Sequence, residues 1–213
     1  MAAVVAVFCS LWRPGSIVFD AVSAAVASSA IDEVVVFGYE PTGRATAFPM
    51  PVTEYHTALY RWNDSVTADF LCKRGKFCGV DPRPRVLWRA KLALDMWACL
   101  TKARQMFPTA TLVWLENDAI LIPKMLPKAI AAAQHTGASA CYGVGKWYSG
   151  QGTLCFVFLP QADPSPHLLS YHLVQPADWI VGDFSRGKWP LVPSVTHGRR
   201  GNHISTRKLL NTV

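Results

Sequence analysis

Three short segments at the amino end leave few folds open to this chain. A β-branched apolar run covers Ala3 to Leu11, an Ala/Val-rich stretch follows Ser16, and a second apolar run covers Glu33 to Gly38. Arg13-Pro14-Gly15 breaks the first run, and Ser16 can cap the helix that follows. Strand, helix and strand in so short a span argue for parallel neighbours joined by a right-handed crossover, the first unit of a doubly wound α/β sheet. Ligands of such sheets lie beyond the carboxyl ends of the strands, which here are Ser10 to Arg13 and Tyr39 to Glu40.

The remainder of the chain extends the same pattern. Residues 42 to 85 are rich in Pro, Thr and Gly without a sustained period and read as loop with short elements. Val86 to Met106 turns helical, with Leu87, Ala90, Leu94, Trp97 and Thr101 in one stripe and Trp88, Lys91 and Asp95 in an adjacent one. Pro108 ends the helix, and Thr111 to Leu115 is an apolar strand running directly into Glu116-Asn117-Asp118. Leu126 to His135 reads as a short Ala-rich helix, and Thr153 to Leu159 as a buried strand after the Gly-rich Gly143 to Gly152. Ser170 to Thr206 mixes Trp, Asp, His and Arg without periodicity, as a site-forming tail does. The length of 213 residues suits one domain, and 51% hydrophobic against 16% charged residues is the balance of a packed globule. The eight Trp are by default core and rim residues, although a ring with one donor also suits stacking on sugars or bases.

A formal charge of +7 suits a polyanion, a membrane surface or a phosphorylated ligand, and selects none of them. The basic clusters, Lys73-Arg74-Gly75-Lys76, Arg83 to Lys91 and Arg199 to Lys208, are too short for a nucleic-acid tail. With no recognition helix and no interleaved aromatic and basic strands, nucleic acid is not the expected partner. The six cysteines form no C-x-x-C pair, which argues against structural zinc. Cys72 and Cys78 can close a small disulfide, whereas Cys9, Cys99 and Cys155 lie in apolar stretches that favour reduced, packed thiols. Asn63-Asp64-Ser65 is a formal glycosylation acceptor. Met1 to Cys9 is too short for a span and lacks the pattern of a signal peptide, and no other stretch spans a bilayer. The expectation is a soluble chain or one separated from its anchor.

Glu116 and Asp118 end a strand on the ligand side of the sheet, where a turn can bring both carboxylates to one hard cation. A divalent ion held by one or two carboxylates keeps positions open for phosphate oxygens. The same cluster also suits ordinary turn chemistry, and spacing leaves both readings open.

Residues 85 to 123, R-V-L-W-R-A-K-L-A-L-D through V-W-L-E-N-D-A-I-L-I-P, resemble the central block of the eukaryotic N-acetylglucosaminyltransferase IV family. They resemble equally the related transferase that adds N-acetylgalactosamine to GPI anchors. Both carry R-V-x-W-R-x-K-x-x-L-D-Y on a helix and then a strand ending in L-E-D-D. Trp88, Arg89, Lys91, Leu94, Asp95, Leu115, Glu116 and Asp118 match, while Met96 and Asn117 depart. Ser10-Leu11-Trp12-Arg13-Pro14-Gly15-Ser16 is similar to the family's first turn, and Val36-Phe37-Gly38-Tyr39-Glu40 to its second strand. Pro176-Ala177-Asp178-Trp179 looks like its P-x-D-W, and Pro193 to Ser205 loosely follows P-x-x-x-x-H-x-G-x-x-S-S.

The resemblance implies a single GT-A (Rossmann-like) domain over 1–213, with a mostly parallel central sheet flanked by helices. Residues 1–123 would form the nucleotide-sugar half and 124–213 the acceptor half. It implies a UDP-sugar donor, UDP-N-acetylhexosamine, a Mn2+ or Mg2+ cofactor, a glycan, glycolipid or glycoprotein acceptor, and inversion at the anomeric carbon. Asp118 would be the main metal ligand, Glu116 would assist through water or the ribose, and His197 would join them. Asn117, counted with Glu116 among the residues that would contact the UDP-sugar, cannot supply the middle negative charge. Ser10, Arg13 and Glu40 would border the nucleotide together with Arg89, Lys91 and Asp95, although Lys91 and Asp95 are equally a surface pair worth ~0.3 to 0.5 kcal/mol. Asp178 is the candidate base and Asp183 the reserve; Asp178 can instead orient backbone or Arg186. Trp147 and Tyr148, within Gly145 to Gly152, can wall an acceptor or simply form a tight turn. The competing class is a catalytically silent, sugar-binding or scaffold protein on the same fold, favoured by Asn117. The analogy places the protein in the Golgi lumen or secretory pathway; without a visible anchor, a cytoplasmic location also fits.

Overall fold

The computed structural model describes residues 2–9, 18–38, 52–56, 83–116, 119–143, 155–171, 180–181, 184 and 190–197. These residues form one eight-stranded sheet with helices on both faces. The strands are β1 (Val4–Cys9), β2 (Glu33–Gly38), β3 (Val52–His56), β4 (Thr111–Leu115), β5 (Ala119–Leu121), β6 (Ala138–Gly143), β7 (Cys155–Phe158) and β8 (Leu191–His197). The helices are α1 (Val18–Val26), α2 (Arg83–Met106), α3 (Leu126–Thr136) and α4 (Ser165–Tyr171).

The spatial order is β3-β2-β1-β4-β7-β6-β8-β5. The first four strands are parallel, as the strand–helix–strand opening requires. The second half departs from that rule: β7 is antiparallel to both β4 and β6, β8 is parallel to β6, and β5 is antiparallel to β8. The expected α/β sheet flanked by helices is therefore present, with its antiparallel pairings gathered on one side. None of the described helices is long and apolar enough to cross a membrane.

Strict alternation along the central strands builds two cores. Ala6, Phe8, Val34, Val36, Val113, Leu115 and Val157 face the side covered by α1 and α3, together with Ala21, Ala25, Ala129 and Ala133. Their neighbours Val5, Val7, Val35, Phe37, Leu112, Trp114, Phe156 and Phe158 face the side of α2. Strands covered on both faces have no solvated side, which is why their sequences are unbroken apolar runs. Each large side chain so buried contributes about 1.5 to 3 kcal/mol of transfer free energy.

β2 and β4 begin and end where the sequence pattern sets them. α2 starts at Arg83, three residues before the expected Val86, because Pro84 lies in its first turn, where no N–H is needed. Its sheet-facing stripe is Ala93, Met96, Leu100 and Ala103, one position off the expected Leu87-to-Thr101 stripe. Small residues at two of these positions let the helix approach the strands closely. Ala90 and Leu94 are also buried, and Met96 is fully so, a site where a thioether packs with no donor to satisfy.

Arg104, near the end of α2, donates from Nη1 to the Ala110 carbonyl (2.7 Å) and from Nη2 to the Leu159 carbonyl (3.2 Å). It thereby ties the helix to the start of β4 and the end of β7. Burial lowers the pKa of this guanidinium, and the Asp163 carboxylate acts in the opposite direction. α3 ends at Gly137, whose φ of 87° is left-handed, and whose N–H bonds the Ala133 carbonyl at 2.7 Å. Its own carbonyl accepts from the N–H of Leu159 (3.0 Å), which leads β7 alongside β6.

The cysteines correct the expectation of reduced thiols. Cys9 and Cys99 form a disulfide with Cα atoms 6.0 Å apart, joining the end of β1 to α2, and Cys155 is also disulfide-bonded. The apolar neighbourhoods were legible, but the approach of α2 to β1 places two sulfurs in contact, and that is a tertiary fact. Cys72, Cys78 and Asn63 lie outside the described residues.

Candidate functional site

The chain runs from β1 through β2 to β3 toward one edge, then returns to place β4 on the other side of β1. Order reverses between β1 and β4, and the crevice beyond their carboxyl ends is the topological switch point where open α/β sheets take ligands. Phe8 pairs with Leu115, so β1 and β4 end in step, with Cys9 and Glu116 the next residues of the two chain segments. Glu116 is half-buried there, and its carbonyl accepts the N–H of Ala119 at 3.0 Å, the i to i+3 spacing of a β-turn.

β5 follows β4 after only three residues, yet it pairs at the far flank of the sheet, beyond β7, β6 and β8. Four strand spacings amount to about 19 Å. The four steps from Leu115 to Ala119 span at most about 14 Å. A flat sheet cannot satisfy both, so the β8–β5 flank curls back toward the end of β4. The N–H of Ile122 fixes this by donating to the Ser194 carbonyl (2.9 Å). The antiparallel register then sets His197 opposite Ala119, one residue past Asp118.

α2 supplies the third wall. Its Cys99 is bonded to the end of β1, and its Arg104 reaches the residue before β4, so the helix runs opposite to both strands. Its amino-terminal half therefore overhangs the crevice. The Asp95 carbonyl lies 3.0 Å from Cys9 Sγ, a packing contact, since a disulfide sulfur has no hydrogen to donate. Lys91 is about 6 Å and Arg89 about 9 Å further along the axis.

Of the residues singled out in the sequence, Asp95 and Glu116 are described in full, while Arg89, Lys91 and His197 are placed by backbone alone. Ser10, Arg13, Glu40, Asn117, Asp118, Asp178 and Asp183 lie outside the described residues, as do Trp147 and Tyr148. The backbone thus brings the Glu116 turn, His197 and the overhang of α2 to one end of the sheet. Among the described residues no three His, Cys, Asp or Glu side chains form a metal cluster, and the side chains of Asp118 and His197 are not among them. The curl that recruits β8 had no sequence signal, since Leu191 to His197 carries Pro193 and Ser194 within an otherwise weak apolar run.

No protein-family model and no curated protein matches this chain. Solved structures do resemble it. A 4-diphosphocytidyl-2C-methyl-D-erythritol synthase is 13% identical, with 99% of each chain covered and a TM-score of 0.50. The same-named synthase from Anaerococcus prevotii is 8% identical, covering 98% of this chain and 95% of that one, with a TM-score of 0.49. A CMP:2-keto-3-deoxy-manno-octonic acid synthetase aligns at 10% identity and a TM-score of 0.34, too distant to carry an argument. None of these three is an N-acetylglucosaminyltransferase. At such identity the likeness speaks for the fold alone: a single Rossmann-like α/β domain whose mixed sheet opens its switch point between β1 and β4.

Proposed function

We propose that this chain is a metal-dependent glycosyltransferase of the GT-A type, moving N-acetylhexosamine from a UDP-sugar to a glycan or glycoconjugate hydroxyl with inversion. The observation that carries the reading is the curl of the sheet. It returns His197 to the strand partner of Ala119, beside the Glu116-Asn117-Asp118 turn at the switch point. Glu116 and the backbone of His197, both drawn from the family resemblance, thereby share one end of the fold although 81 positions separate them (197 − 116).

In this reading residues 1–123 bind the nucleotide-sugar and 124–213 the acceptor, on the one sheet. Carboxylate ligands fit Mn2+ or Mg2+, and an added imidazole favours Mn2+; the ion, when bound, would supply positive charge to the diphosphate. Asp118 and His197 hold that ion and Glu116 supports it. Arg89 and Lys91, on the overhanging half of α2, serve as cationic partners for the nucleotide, with Ser10, Arg13 and Glu40 bordering the uridine. The acceptor oxygen attacks the anomeric carbon while Asp178, or Asp183 in its place, takes the hydroxyl proton. The bond to UDP breaks and its electron pair leaves on the diphosphate. The family analogy points to the secretory pathway, with which disulfide-bonded cysteines accord.

Titration calorimetry with UDP tests the site. Binding is expected with Mn2+, to vanish on chelation, and to vanish in Asp118→Ala; equal heats without metal sink the proposal. The fold likeness to a diphosphocytidyl-methylerythritol synthase favours a second reading, a nucleotidyl transfer. Incubation with UDP-N-acetylhexosamines should release UDP, whereas the second reading requires pyrophosphate release from cytidine triphosphate and no UDP.

A further inference from the structure

Cys155 is fully buried in β7 and disulfide-bonded, yet Cys9 and Cys99 are already joined to each other. Its partner is therefore one of Cys72, Cys78 and Cys141. The antiparallel ladder between β6 and β7 sets Cys141 directly opposite Cys155, on the last rung that the two strands share. Facing residues of such a ladder have Cα atoms about 4.5 or 5.5 Å apart. Both spacings lie within the span a disulfide bridges.

We propose that Cys141 and Cys155 form a second disulfide, and that in the native protein this bridge and Cys9–Cys99 have different tasks. Cys9–Cys99 pins α2 to the end of β1, while Cys141–Cys155 closes the ladder where the chain leaves for residues 142–154 and returns. The Cys141 thiolate attacks one sulfur of a glutathione or protein disulfide and releases the first thiol. The Cys155 thiolate then displaces the second, so the oxidant takes two electrons and the two protons leave on the released thiols. Cys99 and Cys155 are each 0% exposed, so in the folded chain an external thiolate can attack these bridges only at the Cys9 or Cys141 sulfur, which slows their reduction. Such a pair persists only where the compartment is oxidising. None of this depends on the function proposed above.

Peptide mapping decides it. The full chain, made where disulfides form, is denatured without reductant, blocked with N-ethylmaleimide, digested and analysed before and after reduction. Expected are one cross-linked pair containing Cys9 and Cys99 and another containing Cys141 and Cys155, both lost on reduction, whatever the state of Cys72 and Cys78. Folded protein held in millimolar glutathione should keep both pairs. Maleimide on Cys141 or Cys155, or a link from Cys155 to Cys72 or Cys78, overturns the pairing. Chain made in a reducing cytosol with all six cysteines blocked, yet of unchanged melting temperature, overturns the oxidised native state.

Discussion

Removing the Cys9–Cys99 bridge by a Cys9→Ala, Cys99→Ala double substitution should cost the fold several kcal/mol. The bridge closes a loop of 90 residues. In the chain-entropy model that closure removes about 15 to 16 cal/mol/K from the unfolded ensemble, or about 4.6 kcal/mol at 25 °C. Two opposing corrections apply. Alanine at the fully buried Cys99 leaves a small void that adds about 1 kcal/mol, while residual structure in the unfolded chain subtracts a comparable amount. The expected loss is about 3 to 5 kcal/mol, which for a domain of this size lowers the melting temperature by about 6 to 20 °C. Calorimetry and urea unfolding of the oxidised parent and the variant measure it. The urea slope should also steepen, because an unbridged denatured chain exposes more surface. A fall below about 2 °C with an unchanged slope would show that the bridge does not constrain the unfolded chain, and the entropic argument would fail.

Arg104→Met should destabilise by about 2 to 4 kcal/mol in urea unfolding, because two carbonyls lose charge-assisted donors; Arg104→Lys should recover part of this. Gly137→Ala should cost about 1 kcal/mol, from the left-handed φ alone. The added Cβ meets Ala162 Cβ at 3.6 Å, an ordinary contact, so a loss above about 3 kcal/mol would contradict that account. His197→Ala should weaken Mn2+-dependent UDP binding at least tenfold, about 1.4 kcal/mol, without moving the melting temperature of the metal-free protein; unchanged affinity removes His197 from the site.

The longer strands and helices were legible because their signals are local. Glu33 to Gly38 and Thr111 to Leu115 are apolar runs bounded by breakers, α2 carries helical spacing closed by Pro108, and α3 is marked by its Ala-rich composition. β3, β5, β6, β8 and α4 were not read as elements. β3 is an edge strand with Glu54 and His56 in a Pro/Thr-rich context, β5 has three residues, and α4 only seven. Such segments take their conformation from the strand or core they join.

The candidate site divides the same way. Glu116, Asn117 and Asp118 are visible from sequence because a strand must end before a polar turn, and Asp95 because it shares a helical face with Lys91. That His197 stands across from Ala119 follows from a link of three residues too short for a flat sheet, which forces the far flank to curl. Sequence by itself determined the alternation that buries both faces of the sheet and the acids at its rim, since periodicity is a property of neighbours along the chain. Only the tertiary structure decided the order of the strands, the pairing of Cys9 with Cys99 and the return of β8, since each depends on contacts between segments that no local pattern encodes.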